Sequence, residues 1–119
     1  MDPDAPRPVT REELALLGAL LDHDFTGVEA LRAQTHGLLA KRGCSCGCGS
    51  IDLIPQGTGL PKAAVRGVAP VSGHVLDANG NVVGGVGLFV EDGFLSMLEV
   101  HWDDSPIPLP QVDDVEWQI

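Results

Sequence analysis

Three cysteines are the most unusual group among the residues that could do chemistry. Cys44, Cys46 and Cys48 lie within five residues and are separated by single small residues. Three thiolates at this spacing could surround one soft cation such as Zn²⁺ or Cu(I), and His36 could supply a fourth ligand. The spacing also fits three reduced thiols in a glycine turn, or a labile disulfide that responds to oxidants. Structural zinc sites normally use Cys-x₂-Cys pairs, so the spacing leaves all three interpretations open.

Carboxylate and imidazole groups alternate in a second stretch of the chain. Glu99, His101 and Asp103 are two residues apart, so in a strand their side chains point to one face. Such a group could act as a general base or bind a metal, and it is also typical of a solvated strand end. The sequence contains no nucleophile elbow, His-Glu-x-x-His motif, dinucleotide fingerprint or phosphate loop, which lowers the expectation of an enzyme.

The overall charge limits the class of partner. The chain of 119 residues carries 17 acidic and 7 basic residues, a formal net charge of −10. This sign disfavours nucleic acid and anionic membranes and favours a basic protein partner. No stretch approaches the roughly 20 apolar residues of a membrane span, and no secretory signal is recognisable. An odd number of cysteines argues against a disulfide framework, so we expect a cytoplasmic location.

Two helices are predicted in the N-terminal third of the chain. Thr10 and Glu13 fit a capping box, and leucines at three- and four-residue steps follow them. This pattern predicts a helix over 11–22. A second capping pattern with a shorter apolar stripe predicts another helix over about 27–35.

Three strand-length runs dominate the C-terminal half, at 71–77, 81–90 and 94–102. Asn79-Gly80 and Asp92-Gly93 separate these runs, and they are the dipeptides best suited to two-residue type I′ turns. The sequence therefore predicts an antiparallel β-meander, with the N-terminal helical pair packed on it. The predicted fold class is α+β, and residues 1–119 are expected to form a single domain.

The two turns also predict which residues face one another in the meander. They set His74 opposite Gly85 and Gly85 opposite Val100, with Gly87 on the same face. Gly85 and Gly87 would then form a trough free of side chains. Either a ligand or a closely packed helix could fill such a trough.

Proline-rich segments are expected to flank this domain core. Residues 1–9 predict a flexible arm. Residues 103–119 predict an extended, Pro-rich tail close to polyproline II, whose last apolar residues could fold back onto the domain.

Both faces of the meander are mostly apolar, so both need cover, and one of them could bind a partner or a second copy of the chain. The predicted partner surface combines histidine, aromatic and acidic side chains: His74, Phe94, Trp102, Asp103 and Asp104. We therefore expect a non-enzymatic cytoplasmic binding domain for a protein partner, with a homodimer as a further form. The alternative is a thiol protein that holds Zn or Cu, or senses oxidants, through its cysteines.

Several stretches resemble a family of small bacterial proteins with a Cys-x-Cys-x-Cys loop and a C-terminal β-meander. They are residues 24–27, 44–48, 50–53, 82–90, 92–100 and 103–106. The resemblance implies no activity, cofactor or catalytic residue, because none is known for that family. The step from Leu98 to Val100 before an aromatic residue is also similar to hairpins of small proteins suspected of neutralising bacterial toxins, which implies a toxin-neutralising role by analogy alone.

Overall fold

The computed structural model describes residues 5–43, 49–65 and 67–118. In this part of the chain two helices pack on one antiparallel sheet of eight strands, which confirms the α+β prediction. The helices are α1 (Arg11–Leu21) and α2 (Val28–Ala33), and a 3₁₀ turn spans Val112–Asp114. The strands are β1 (Arg7–Pro8), β2 (Leu39–Arg42), β3 (Ile51–Ile54), β4 (Gly67–Val68), β5 (Ser72–Leu76), β6 (Val82–Glu91), β7 (Phe94–Trp102) and β8 (Val115–Gln118). Their order is β1-β2-β3-β7-β6-β5-β8, and β4 also pairs with β6.

The first helix begins as the capping pattern predicts. The Thr10 hydroxyl accepts a 3.1 Å hydrogen bond from the Glu13 amide, and the Glu13 carboxylate accepts a 2.8 Å bond from the Thr10 amide. Four leucines of α1 are buried, at positions 16, 17, 20 and 21. The second helix is shorter than predicted and follows Gly27, whose φ is +91°. Within the described segments, neither helix has the length and apolar character needed to cross a membrane.

One of the two predicted turns is confirmed. Asp92 has a φ of +53° and Gly93 a φ of +84°, and both values are those that a two-residue type I′ turn requires. The dipeptide connects β6 directly to β7, with Glu91 opposite Phe94.

The other turn differs from the prediction. In Asn79-Gly80 only Gly80 has a positive φ, at +82°. The Gly80 amide donates to the Asp77 carbonyl, and the Asp77 amide donates to the Asn81 carbonyl. The loop is therefore three residues long, because the Asp77 carboxylate also accepts hydrogen bonds from the Asn79 and Asn81 amides and stabilises the wider turn.

A bulge shifts the pairing of β6 with β7. The register changes between Phe89 and Val90, and Ser96 is the extra residue on β7. Leu95 and Leu98 are both buried, at 2% and 0% exposure, although they are three residues apart. Strict alternation would place one of them in solvent, so the bulge lets both pack in the core.

This bulge overturns one predicted pairing, between β6 and β7, and a second bulge preserves another, between β5 and β6. The second bulge lies between Val75 and Leu76, leaves Val83 as an extra residue on β6, and offsets the longer turn. His74 lies opposite Gly85 as predicted, but Gly85 lies opposite His101 rather than opposite Val100. Val100 pairs instead with Val86, and both are buried. We call the face with these buried valines, which the helices cover, the inner face, and the face with His74 and His101 the outer face.

A buried glutamine joins α2 to the sheet. Gln34 is 0% exposed, and its side-chain amide donates hydrogen bonds of 2.8 Å to the carbonyls of Pro61 and Gly93. Its side-chain oxygen accepts a 2.8 Å bond from the Leu95 amide. The side-chain nitrogen and oxygen of Gln34 therefore both have hydrogen-bond partners, as is usual for buried polar atoms.

The predicted flexible arm and extended tail both contribute strands. In the arm, residues 1–4 lie outside the described residues, but Arg7–Pro8 pair with β2. In the tail, the 3₁₀ turn at Val112–Asp114 interrupts the extended backbone, and β8 then folds back to pair with β5. Gly73 leaves room for this, because a Cβ atom there would collide with Val115 and lie 3.2 Å from Trp117.

Candidate functional site: the acidic end of the sheet

The five residues predicted as a partner surface lie in three different places. Trp102, Asp103 and Asp104 are consecutive at the end of β7. Phe94 begins the same strand, about 26 Å away at the usual rise per residue. His74 lies on the outer face of β5. The structure therefore brings three of the five residues together and separates Phe94 from them.

Phe94 has a local partner of its own. The ring is half-buried, and the Lys62 ammonium lies 5.7 Å from its centroid, within the range of a cation–π contact. This contact ties the connection before β4 to the start of β7.

Five aspartates gather at the end of the sheet where β7 finishes. Asp77 lies in the turn between β5 and β6, and Asp103 and Asp104 follow β7. Asp113 and Asp114 form the 3₁₀ turn before β8. We call these five residues the acidic end. All five are exposed.

Strand pairing places these three segments side by side. Gly84 pairs with Trp102, so β7 ends beside the start of β6. Val75 pairs with Val115, so the 3₁₀ turn lies beside the end of β5. The four strands β8, β5, β6 and β7 are adjacent, which makes the acidic end about 14 Å wide.

Backbone hydrogen bonds hold part of this surface in position. The Asp77 carboxylate accepts bonds of 2.9 Å from both the Asn81 and the Asn79 amides. These bonds, with that from Asn81 the strongest, lower the pKa of Asp77. The Asp103 amide donates to the Val83 carbonyl at 3.2 Å, which extends the β6–β7 pairing past Trp102.

Exposed apolar side chains lie among these charges. Trp102 is 39% exposed and Val82, at the start of β6, is 49% exposed. They are two of the four large apolar side chains that are exposed in the described segments. Tryptophan is enriched among the residues that dominate binding energy in protein interfaces.

The charge is distributed unevenly along the chain, which the net charge alone does not reveal. All seven basic residues lie at or before Arg66, whereas nine of the 17 acidic residues follow it. The acidic end therefore belongs to a segment, 67–118, without a single Lys or Arg. Arg42, at the end of β2, is separated from β7 by β3. Counting charges segment by segment could have identified this surface from the sequence.

The cysteine site stays a prediction. Cys44, Cys46 and Cys48 lie outside the described residues. His36 is exposed and precedes β2, whereas Gly43 follows β2. This four-residue strand, about 13 Å long, therefore lies between His36 and Gly43. Across 5–43, 49–65 and 67–118, no group of three or more His, Cys, Asp or Glu side chains is arranged to hold a metal ion.

The alternating group of carboxylate and imidazole side chains lies at the end of β7, and its third member follows the strand. Glu99 lies opposite Gly87 and His101 opposite Gly85, both on the outer face. Asp103 follows the strand and belongs to the acidic end. In the part of the chain that the structure describes, the three side chains are not arranged to hold a metal ion together.

Comparison with known proteins does not test the resemblance to small bacterial proteins, which stays a prediction. No protein-family model matches the chain, and neither the curated proteins nor the solved structures include a significant match to it.

Proposed function

We propose that this protein is a non-enzymatic cytoplasmic binding domain whose acidic end docks a basic segment of a protein partner. The observation that carries the proposal is the exposure of Trp102 beside Asp103 and Asp104, in a segment that has no basic residue. A toxin-neutralising role would be one case of such binding.

The chemistry of this end favours arginine in the partner. A guanidinium can form paired hydrogen bonds with a carboxylate, which an ammonium cannot. The face of Trp102 offers a second contact, since a cation over a tryptophan ring contributes about 0.5–2 kcal/mol. An arginine-rich segment carries several guanidinium groups, so it can use both contacts at once, because Trp102, Asp103 and Asp104 are consecutive at one end of the sheet.

The charge also affects how fast a partner arrives. At about 0.1 M salt the Debye length is about 10 Å, so a cation at the middle of a surface about 14 Å wide lies within one Debye length of the charges at both edges. Electrostatic steering raises association rates and weakens as salt is added. The homodimer prediction is separate, because like charges would oppose self-association through this end.

Titration of the protein with a nona-arginine peptide tests the proposal. In a Trp117→Phe background, the fluorescence of Trp102 reports binding at the acidic end. We expect the double variant Asp103→Asn, Asp104→Asn to bind at least about tenfold more weakly, a loss of about 1.4 kcal/mol.

A matched control separates local binding from general attraction to an acidic protein. Glu12→Gln, Glu29→Gln removes the same charge from exposed positions on the two helices. We expect this variant to change the affinity by less than about twofold. Equal losses in the two double variants, or no loss in either, would refute the proposal.

A further inference from the structure

Two histidines flank a glycine across three neighbouring strands of the outer face. His74 on β5 lies opposite Gly85 on β6, and Gly85 lies opposite His101 on β7. Because the three residues are in register, their side-chain directions point to one side of the sheet. The central position has no side chain, so nothing of β6 itself stands between the two imidazoles.

The ring of His101 extends over this glycine. A Cβ atom built on Gly85 would collide with Nε2 of His101. The nitrogen therefore lies above the central strand, on the side of its own backbone that faces β5. His101 is exposed and His74 is half-buried, so both rings are within reach of solvent.

The ring of His74 is held from its other side. Its Nδ1 lies 3.3 Å from the side-chain nitrogen, Nε2, of Gln118 on β8. A glutamine amide can present either its nitrogen or its oxygen to a ring nitrogen. With the oxygen presented, Nδ1–H donates to Gln118 and Nε2 becomes a ligand, the arrangement typical of metal-binding histidines.

We propose that His74 and His101 form a two-imidazole site for a divalent transition-metal ion of the Cu²⁺ or Ni²⁺ type. The strands β5 and β7 have one strand between them and are therefore about 10 Å apart. Two metal–nitrogen bonds of about 2 Å each span about 4 Å of this distance. The ring of His101 extends over Gly85 towards β5 and so covers a large part of the remaining distance. Water completes the coordination, which suits the tetragonal nitrogen and oxygen sets of these ions.

The surrounding charge favours a cation at this position. Glu116 pairs with His74 from β8, and Glu99 lies two residues before His101 on the same face. No Lys or Arg occurs in the segment that contains all four residues. The site does not rest on the proposed docking at the acidic end, because it uses none of the five aspartates.

Copper titration tests this site, provided that the thiols are removed from competition. The background is the full chain with Cys44→Ser, Cys46→Ser and Cys48→Ser, or the wild-type chain with its thiols alkylated if that variant does not fold. Isothermal titration calorimetry gives the Cu²⁺ affinity, and electron paramagnetic resonance shows how many nitrogens bind. We expect two nitrogens, and a loss of affinity of more than about tenfold in His74→Ala and in His101→Ala.

Two glycines of β6 provide a matched control. Gly85→Ala places a Cβ atom where the His101 ring lies, so the ring must move and the affinity should fall by at least about tenfold. Gly87→Ala has nothing within 4 Å of its Cβ atom and should leave the affinity unchanged, as should His36→Ala. Absence of Cu²⁺ binding, a one-nitrogen spectrum, or equal effects of the two glycine variants would overturn the proposal.

Discussion

The side-chain oxygen of Gln34 accepts a 2.8 Å hydrogen bond from the backbone amide of Leu95, deep in the core. This bond joins the end of α2 to the start of β7. The opposite side of the same carboxamide donates to two carbonyl oxygens, those of Pro61 and Gly93. One buried polar side chain therefore links a helix, a loop and a hairpin turn.

Gln34→Glu tests this linkage. The substitution brings a carboxylate oxygen against two carbonyl oxygens that have lost their donor, so we expect a loss of about 2–4 kcal/mol of unfolding free energy at pH 7. Urea denaturation measures the loss. Gln56→Glu, at an exposed position, is the control and should change stability by less than about 0.5 kcal/mol. Similar stability of both variants would contradict the role of Gln34.

The ion pair at the start of α1 predicts a pH dependence of stability. The Arg7 guanidinium binds the Glu13 carboxylate through two 2.8 Å hydrogen bonds. Burial raises the pKa of Glu13, but the hydrogen bonds from Arg7 and Thr10 outweigh it, so the pKa lies below its ordinary value of 4.5. The stabilisation is therefore present above pH 4.5 and is lost as the pH falls through the lower pKa of the folded state.

Glu13→Gln should accordingly destabilise the protein at pH 7 and have less effect at pH 3. We expect about 1 kcal/mol at neutral pH, because the Arg7 side chain is 44% exposed and solvent screens the pair. Urea denaturation at the two pH values, with exposed Glu12→Gln as the control, measures the difference. An equal effect of Glu13→Gln at both pH values would show that the carboxylate charge does not stabilise the fold.

Two glycine positions of β6, Gly84 and Gly87, should respond in opposite ways to alanine. A Cβ atom at Gly84 would collide with the backbone carbonyl of His101 and lie 2.8 Å from Ile107, so Gly84→Ala should cost more than about 2 kcal/mol. At Gly87 the space is open. Gly87→Ala should therefore stabilise the protein by about 0.5 kcal/mol, because alanine lowers the conformational entropy of the unfolded chain. Thermal unfolding of the two variants checks both signs, and a destabilised Gly87→Ala protein would contradict the described register.

The type I′ turn of the second hairpin makes a prediction about Asp92. Its φ of +53° is tolerated by Asp and Asn and strains β-branched residues. Asp92→Val should therefore lose about 1–3 kcal/mol, whereas Asp92→Asn should stay within about 0.5 kcal/mol of the wild type. Denaturant unfolding of both variants tests this, and equal stability would show that the turn does not need a positive φ there.

The sequence predicts those parts of the fold that depend on local chemistry. The capping box of α1 and the Asp92-Gly93 turn are both confirmed, since each depends on residues within four positions of one another. The Asn79-Gly80 turn differs because the Asp77 side chain, two residues away, stabilises a wider loop. The Ser96 bulge depends on which leucines the distant helices cover, and no local pattern reports that.

The candidate site likewise combines residues that are close in sequence with residues that only the fold brings together. Trp102, Asp103 and Asp104 are consecutive, so the sequence could group them. Asp113 and Asp114 join them only because β8 returns to pair with β5, about 40 residues along the chain. The position of His101 over Gly85 depends on the bulge, so the register inferred from the turns alone could not find it.

Nuclear magnetic resonance mapping of a bound basic peptide shows directly whether the acidic end is the docking surface. With ¹⁵N-labelled protein and nona-arginine, we expect amide shift changes concentrated at residues 76–83, 101–104 and 112–116, and we expect these changes to disappear as salt is added. Changes concentrated instead on α1 and α2, or spread evenly over the exposed acidic residues, would contradict docking at the acidic end.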